Sequence, residues 1–428
     1  NTYYLILLLY SIHSTMLCLL TLIIMFLVWF LRLKEPPPIL NVYKQPGKWF
    51  YLKYWIVRLI LYLRKVYGNE RKEFNNKDYR SLDGPQNLSG LRKAFDAVFF
   101  MATSEDGYYV IAGSERRNHN ISNGLFYIVV PDVGLLCSHK LPDTVLFSDE
   151  ENIYGGEGLL IQSIDPMKVW KVFYSGEMWL QSDPSQIFQV KFVAQFISFF
   201  RHFFFSTDLN HAALARSLAR ETWDKTYFEN IKKAHQDHYE QMGTMDAKLS
   251  IEGREDCQLL KMSAFRDHSF GPERDWELMH RYAFHMIFLE DGTKASVGVI
   301  CQPSTNSVLE VGFVCTSKGE IYPVEWCDLK LYQHGENGVP PTDHGFIFKA
   351  GPKVYEVQVN VEHKAVHYVG WKWEARMVER FVKYRVNGVN GRGISEFHYN
   401  CKKGRPVSAS KTDPEWFADC VRKYYSSN

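Results

Sequence analysis

The chain lacks any C-x-x-C pair. Its eight cysteines (Cys18, Cys137, Cys257, Cys301, Cys315, Cys327, Cys401 and Cys420) are scattered, with no His and Cys grouping at zinc-ligand spacing. Single thiols of this kind are expected to pack as small hydrophobes in a reducing, cytosol-facing environment. There is no Gly-x-Ser-x-Gly elbow and no His-Glu-x-x-His pair, which removes the sequence basis for serine-hydrolase or zinc-protease chemistry. No metal or cofactor is expected. Excess charge is missing as well: 50 Lys and Arg against 48 Asp and Glu leave a net +2, no electrostatic footprint for a nucleic-acid partner. What is present is apolar: a 46% hydrophobic fraction over 428 residues is enough for several sizeable cores, and 15% aromatics suit broad sheets, an apolar cavity or an interface.

Charge is absent altogether from residues 3 to 31, an apolar run ended by Arg32 and Lys34. About 20 apolar residues span a bilayer, so residues 1–34 read as a transmembrane anchor. Lys44, Lys48 and Lys53 follow the span and nothing basic precedes it, which by the positive-inside rule puts the bulk of a single-pass protein in the cytosol, on an endomembrane such as the ER. Two glycosylation sequons, Asn87-Leu88-Ser89 and Asn120-Ile121-Ser122, argue weakly for the other side. Residues 35–93 read as a spacer stiffened by Pro36-Pro37-Pro38, a helix and a polar linker. The helix, residues 48 to 65, carries Lys53, Arg58, Arg64 and Lys65 within about 140° of one another on a helical wheel and is otherwise aromatic and aliphatic, the pattern of a helix lying in a membrane interface.

From residue 94 the sequence breaks into short β-rich runs separated by Gly, Asp, Asn and Pro, the signature of a sandwich or barrel. The spacing predicts a first β unit over 94–237, closed by one helix from Leu209 that Asp208 would cap. A second β unit is expected over 238–401, with its clearest strand from Trp276 to Phe288. A charged and aromatic tail, 402–428, follows with a short helix from Pro414 to Tyr425. The Gly-Val-Asn-Gly-Arg-Gly run at 388–393 reads as a loop, since no strand-to-helix context supports a phosphate cradle.

The densest chemistry lies in Arg266-Asp267-His268-Ser269-Phe270-Gly271-Pro272-Glu273-Arg274-Asp275-Trp276. Charges are rarely buried unpaired, so this run marks either an ion-pair network or a reactive pocket. On an extended chain Arg266, His268 and Phe270 share one face, and Asp267 and Ser269 take the other. If His268 points inward with His280 and Tyr282, a barrel interior holds two imidazoles, a phenol and aromatic walls, the make-up of a small-molecule site. Glu240, or Glu325 with Asp328, would be a second carboxylate for acid or base work.

The His238-Tyr239-Glu240-Gln241 segment followed by Arg266 to Trp276 resembles the double lipocalin-like superfamily of carotenoid 1,2-hydratases and AttH-like proteins, over roughly residues 90 to 400, and is more similar still to its membrane-anchored animal members. The resemblance implies a mainly β fold of two lipocalin-like antiparallel barrels with a connecting helix, behind the N-terminal transmembrane helix. It implies an apolar cavity for a lipid or isoprenoid and, in an enzyme, protonation of an alkene with water trapping the cation. His268 matches the family's histidine; Phe270 stands where the hydratases prefer Trp. Asp267, His268 and Tyr282 are the catalytic candidates, Asp291 is near the position of a later acid, and Phe270, Trp276, His280 and Arg266 would line the ligand. A non-catalytic lipid carrier, or a scaffold with both barrels filled, is the alternative.

Overall fold

The structure, a computed structural model, describes residues 16–17, 19–22, 24–25, 30, 32–67, 79–118, 120–138, 141, 146–147, 152–254, 257–370 and 373–404. Most of the expected span over 1–34 and the helix expected at Pro414 to Tyr425 lie outside them. Among the described residues no helix is long and apolar enough to cross a membrane.

The first β unit runs β1 (Phe95–Thr103), β2 (Tyr109–Arg117), β3 (Ile121–Val130), β4 (Gly134–Ser138), β5 (Leu146–Phe147), β6 (Tyr154–Gly156), β7 (Leu159–Asp165), β8 (Val169–Leu180), β9 (Asp183–Ile197), β10 (Phe203–Phe204), β11 (Asp237–Ile251) and β12 (Gln258–Gly271). Antiparallel pairing runs β1 to β2, β3, β4, β8, β9, β11 and β12, and β12 pairs β1 again, closing a barrel. The second barrel is closed by β13 (Arg281–Leu289), β14 (Lys294–Gln302), β15 (Asn306–Cys315), β16 (Ile321–Cys327), β17 (Asp343–Ala350), β18 (Lys353–Val369), β19 (Ala375–Val386) and β20 (Val389–Asn400). The chain is therefore mainly β, as expected.

Several boundaries differ from expectation, each for a reason of pairing. Residues 237–271 belong to the first barrel, because β11 and β12 supply the strands that return it to β1. Residues 276–278 form a single 3-10 turn with Asp275 accepting from the Glu277 N–H, so the strand expected from Trp276 starts at Arg281. The loop expected at 388–393 is a tight turn at Gly388, φ +86°, and then the start of β20.

The helical stretch after residue 209 is two helices, α2 (His211–Arg220) and α3 (Lys225–Lys233), following α1 (Phe50–Tyr67). Asn210, not Asp208, caps α2, its side chain accepting from the Ala212 and Ala213 N–H groups, and Asp224 starts α3 by accepting from Tyr227. Asp208 instead accepts from the Phe204 N–H and pairs with Arg201. An N-cap is worth about 1 kcal/mol, so Asn210→Ala should lower the unfolding free energy by about that much in a denaturant titration. α2 is tied to the second barrel by Arg216 to Glu310 at 2.8 Å and by Glu221, which accepts from the Ser307 N–H at 2.7 Å.

Both barrel interiors are filled. The first is packed with Phe100, Phe126, Trp170, Tyr174, Phe192 and their neighbours, the second with Val297, Phe346, Phe348, Tyr384 and Phe397. A third cluster lies between the barrels, where Met101, Ile111 and Phe265 meet Met286, Phe313 and Phe381. This seam positions the site: residues on the outer faces of β12 and β13, which alternation alone would assign to solvent, are enclosed by the other barrel.

Candidate active site between the barrels

A cavity of about 410 Å³ opens in the seam. The first barrel contributes Phe99, Glu115, His238, Glu240, Asp267 and Ser269, and the second contributes Tyr282, Phe284, Met377, Glu379 and Glu396. Arg274 and Trp276, on the segment joining the barrels, line it too.

The register makes the site legible. On the first wall Asp267 lies opposite Phe99 on β1 and Glu240 on β11, and Ser269 lies opposite His238. His238 Nδ1 is 2.7 Å from Ser269 Oγ and its Nε2 is 3.2 Å from Glu240 Oε1, so one imidazole bridges a hydroxyl and a carboxylate. On the second wall Phe284 and Glu379 flank Glu396, and Tyr282 and Met377 flank His398. The Tyr282 hydroxyl donates to Glu396 Oε1, and its ring stacks on His398 at 4.9 Å, with Trp276 stacked on the same imidazole at 5.3 Å.

These carboxyl groups are enclosed yet keep surface open to the cavity, which sets their protonation. Burial pushes Asp267 up to about 6; Glu240 adds to the rise, while His238, Arg274 and His268 oppose it. Burial pushes Glu396 up to about 7, with the Tyr282 hydrogen bond opposing and Asp267 reinforcing. Glu379 is raised well above the carboxylate range by burial and by Glu396 beside it. At the cavity's edge burial alone would raise Glu115, but Arg117 and Arg274 hold it below its ordinary value. The arrangement presents proton-transfer groups near neutrality on two facing walls, between aromatic and aliphatic surfaces.

Among the residues singled out from the sequence, Asp267, Tyr282 and Trp276 come together here, while His268, Arg266, Phe270 and His280 do not line the cavity. His268 points into the first barrel, where its Nε2 is 2.7 Å from Asp96 Oδ1 and its Nδ1 is 3.0 Å from the Tyr239 hydroxyl. Asp96 also accepts from Tyr154 and pairs with Arg116. Phe270 packs on the His268 ring at 5.0 Å, on the same face of β12. Arg266 is fully buried against Asp83 at 2.8 Å, its guanidinium near the rings of Trp170, Tyr239 and Phe196. His280, just before β13, is turned away from the cavity, 2.7 Å from Glu336 and edge-on to Tyr43. The ligand expected inside a barrel thus has its space between the barrels, because side chains fill the interiors.

Glu240 reaches the cavity as the second carboxylate the sequence offered. Glu325 pairs with Lys349, Asp328 accepts from the Ile347 N–H, and Asp291 accepts from the Thr293 N–H, all structural roles. Glu379 and Glu396 escaped sequence reasoning. The one local signal was Glu379 flanked by apolar residues on its N-terminal side and by Arg380 on the other, in Met377-Val378-Glu379-Arg380-Phe381-Val382, and the Glu396 strand carries no comparable signal. Among the described residues no group of three or more His, Cys, Asp and Glu is placed to hold a metal ion.

No curated protein matches the chain in sequence. Among solved structures it is similar to a protein described as an AttH from Nitrosomonas europaea, with 12% identity over 75% of this chain and 95% of that one, at a TM-score of 0.49. It is also similar to kievitone hydratase from Nectria haematococca, 11% identical over 74% of this chain and 97% of that one, TM-score 0.46. CghA in complex with Sch210972 is 11% identical over 77% and 97%, TM-score 0.46. A family model matches residues 18–399, nearly the whole of both barrels and the segment leading into them, and the chain belongs to that family, a family of unknown function (DUF8627).

Proposed function

We propose that this protein binds a hydrophobic small molecule, a lipid or isoprenoid, in the cavity between its barrels and transforms it by proton transfer, as a cofactor-independent hydratase or isomerase acting on an alkene. The observation that carries the reading is the pairing of Asp267 on one wall with Tyr282 and Glu396 on the other across a largely apolar space of about 410 Å³. Carboxyls poised near neutrality can both give and take a proton at physiological pH, and the rings of Trp276, Tyr282, Phe99 and Phe284 offer faces to a developing cation. The relatedness to membrane-anchored animal members of the double lipocalin-like superfamily is part of this reading.

The test is mass spectrometry of the compound extracted from the purified full-length protein. A product heavier by one water, or an isomer carrying deuterium from D2O, formed by wild type and not by Asp267→Asn, supports catalysis. The same unaltered compound on both variants points to carriage, and no compound on either points to a scaffold.

Membrane attachment belongs to the same proposal. α1 leaves Trp55 65% and Leu59 57% exposed, beside Tyr51, Leu52 and Tyr62, while Phe50 and Val57 are its buried residues. Arg58, Arg64 and Lys65 lie on the same helix, a composition suited to an anionic bilayer surface on the cytosolic side of an endomembrane such as the ER, whereas Lys53 turns to the protein and donates to the Glu221 carbonyl at 2.8 Å. Removing each exposed apolar side chain from a bilayer interface and putting a carboxylate there costs at least about 1.5 kcal/mol, so Trp55→Glu combined with Leu59→Glu should weaken vesicle binding by a factor of about 100 or more in a flotation assay. The anchor over residues 1–34 would hold the cavity near its lipid supply.

A further inference from the structure

Glu379 and Glu396 face each other across β19 and β20 as register partners, so their side chains leave the barrel side by side on the wall that forms the cavity. Directly opposed residues have Cβ atoms roughly 4.5–5.5 Å apart, and like charges at that spacing repel. Their surroundings are unequal. Glu396 accepts the Tyr282 hydroxyl, whereas Glu379 is 1% exposed and its buried Oε2 has no hydrogen-bond partner among the described residues. A buried carboxylate oxygen without a donor is costly, but a protonated carboxyl is itself a donor. Arg380, adjacent in sequence, gives no relief: it points into the second barrel, where it bonds Ser395 and stands 4.2 Å over the Phe397 ring.

We propose that Glu379 and Glu396 form a one-proton carboxyl pair, held by Tyr282, that is the proton donor to the ligand, and that Asp267 on the facing wall takes the proton from the attacking water. This rests on the hydratase or isomerase reading and adds to it the direction of the proton. As the O–H bond of the pair breaks, a C–H bond forms at one alkene carbon and the π electrons leave a cation at the other. A water oxygen then bonds to that carbon and gives its proton to the Asp267 carboxylate. Proton return from Asp267 to the pair restores the starting state, so the sum is one water added. In an isomerisation, loss of a neighbouring C–H proton to Asp267 replaces water attack. Donor and acceptor sit on different barrels, so addition occurs across opposite faces of the alkene.

The pair and the ligand reading can be tested apart on the intact protein. The first measurement is the infrared difference spectrum between about pH 5 and about pH 9, without added ligand, of wild type, Glu379→Gln and Glu396→Gln. A protonated-carboxyl band that titrates near neutrality in wild type and is diminished in each variant, leaving the contribution of Asp267, is expected; a band unchanged in both overturns the pair. Tyr282→Phe guards against misfolded glutamine variants. It removes the donor that favours ionised Glu396, so the midpoint of the band should move to higher pH, and an unmoved midpoint also overturns the pair. The second measurement is binding of the neutral dye N-phenylnaphthylamine to wild type and to Ala97→Trp, which fills the cavity from the first wall. Dye bound by wild type and not by the variant supports the ligand reading. Dye bound equally by both removes that reading, and with it the pair's role as donor, even if the band is present.

Discussion

Asp267→Asn is expected to lower turnover of the bound compound by about 10²–10⁴-fold, the usual contribution of one positioned acid–base group, while leaving the barrels folded. The substitution keeps the shape of the side chain and removes only its capacity to take and return a proton. A pH argument separates this from simple damage. Asp267 is raised from an ordinary 3.8 to about 6 by burial, so the folded state holds its proton more tightly than the unfolded chain does. The stability linked to that proton is fully present below about pH 4 and is lost as pH rises through about 6. Wild type should therefore lose thermal stability between about pH 4 and about pH 6 by a component that Asp267→Asn lacks, and above that window the inactive variant should melt no lower than wild type. A variant that is both inactive and strongly destabilised at about pH 8 would instead make Asp267 a structural residue. Such a trade of stability for function is expected where acids are buried beside a ligand space.

Arg266→Met is expected to act differently, destabilising the first barrel through a side chain that does not itself line the cavity. Arg266 and Asp83 are both fully buried, 2.8 Å apart, and Asp83 also accepts from the Tyr239 hydroxyl at 2.5 Å and from Trp170 Nε1 at 2.9 Å. Removing one member of a buried pair strands the other charge, at a cost of about 3–5 kcal/mol. Asp83 is held below its ordinary value by Arg266, Tyr239, the Met167 N–H and Trp170 against the opposing effect of burial, so without the arginine it would take up a proton or pull water into the core. Urea denaturation of wild type, Arg266→Met and the double variant with Asp83→Leu decides the matter. The double variant should recover only the part of the loss due to the stranded carboxylate, because Trp170 Nε1 and the Met167 N–H lose their acceptor with it. Equal stability of all three would mean that the barrel end tolerates an unpaired buried charge.

The contrast between these two neighbours shows how far the sequence could be read. Alternation along an extended chain correctly separates Arg266, His268 and Phe270 from Asp267 and Ser269. It cannot say which face meets a ligand, because that depends on a second barrel packing against the outside of the first. The even-numbered face turned into a filled core, where the resemblance-bearing His268 is bonded to Asp96 and Tyr239. The other face became the cavity wall. Tyr282 is expected inside a barrel with His268 and His280; it points out of its own barrel instead, and it is Asp267 that lies across the seam from it.

Other misses have a similar origin. Asp83, in a stretch that reads as polar linker, plugs the first barrel through Arg266, a contact between residues 183 positions apart that local pattern does not encode. Glu379 and Glu396 meet through strand register, which a single sequence does not fix. The β content and the basic, aromatic helix at residues 50–67 are legible because each depends on local periodicity and composition, whereas the pairing of two barrels is implied by the family resemblance alone.

The central claim is that the space between the barrels is a ligand site, and its most direct test is the stoichiometry of extracted hydrophobic compound in wild type and Ala97→Trp. Ala97 lies on β1 opposite Ser269, at the cavity wall, so an indole there occupies the space without entering either packed core. About one molecule per chain on wild type and none on a variant of unchanged melting temperature is the result this account predicts. Equal amounts of the same compound on both proteins would contradict it.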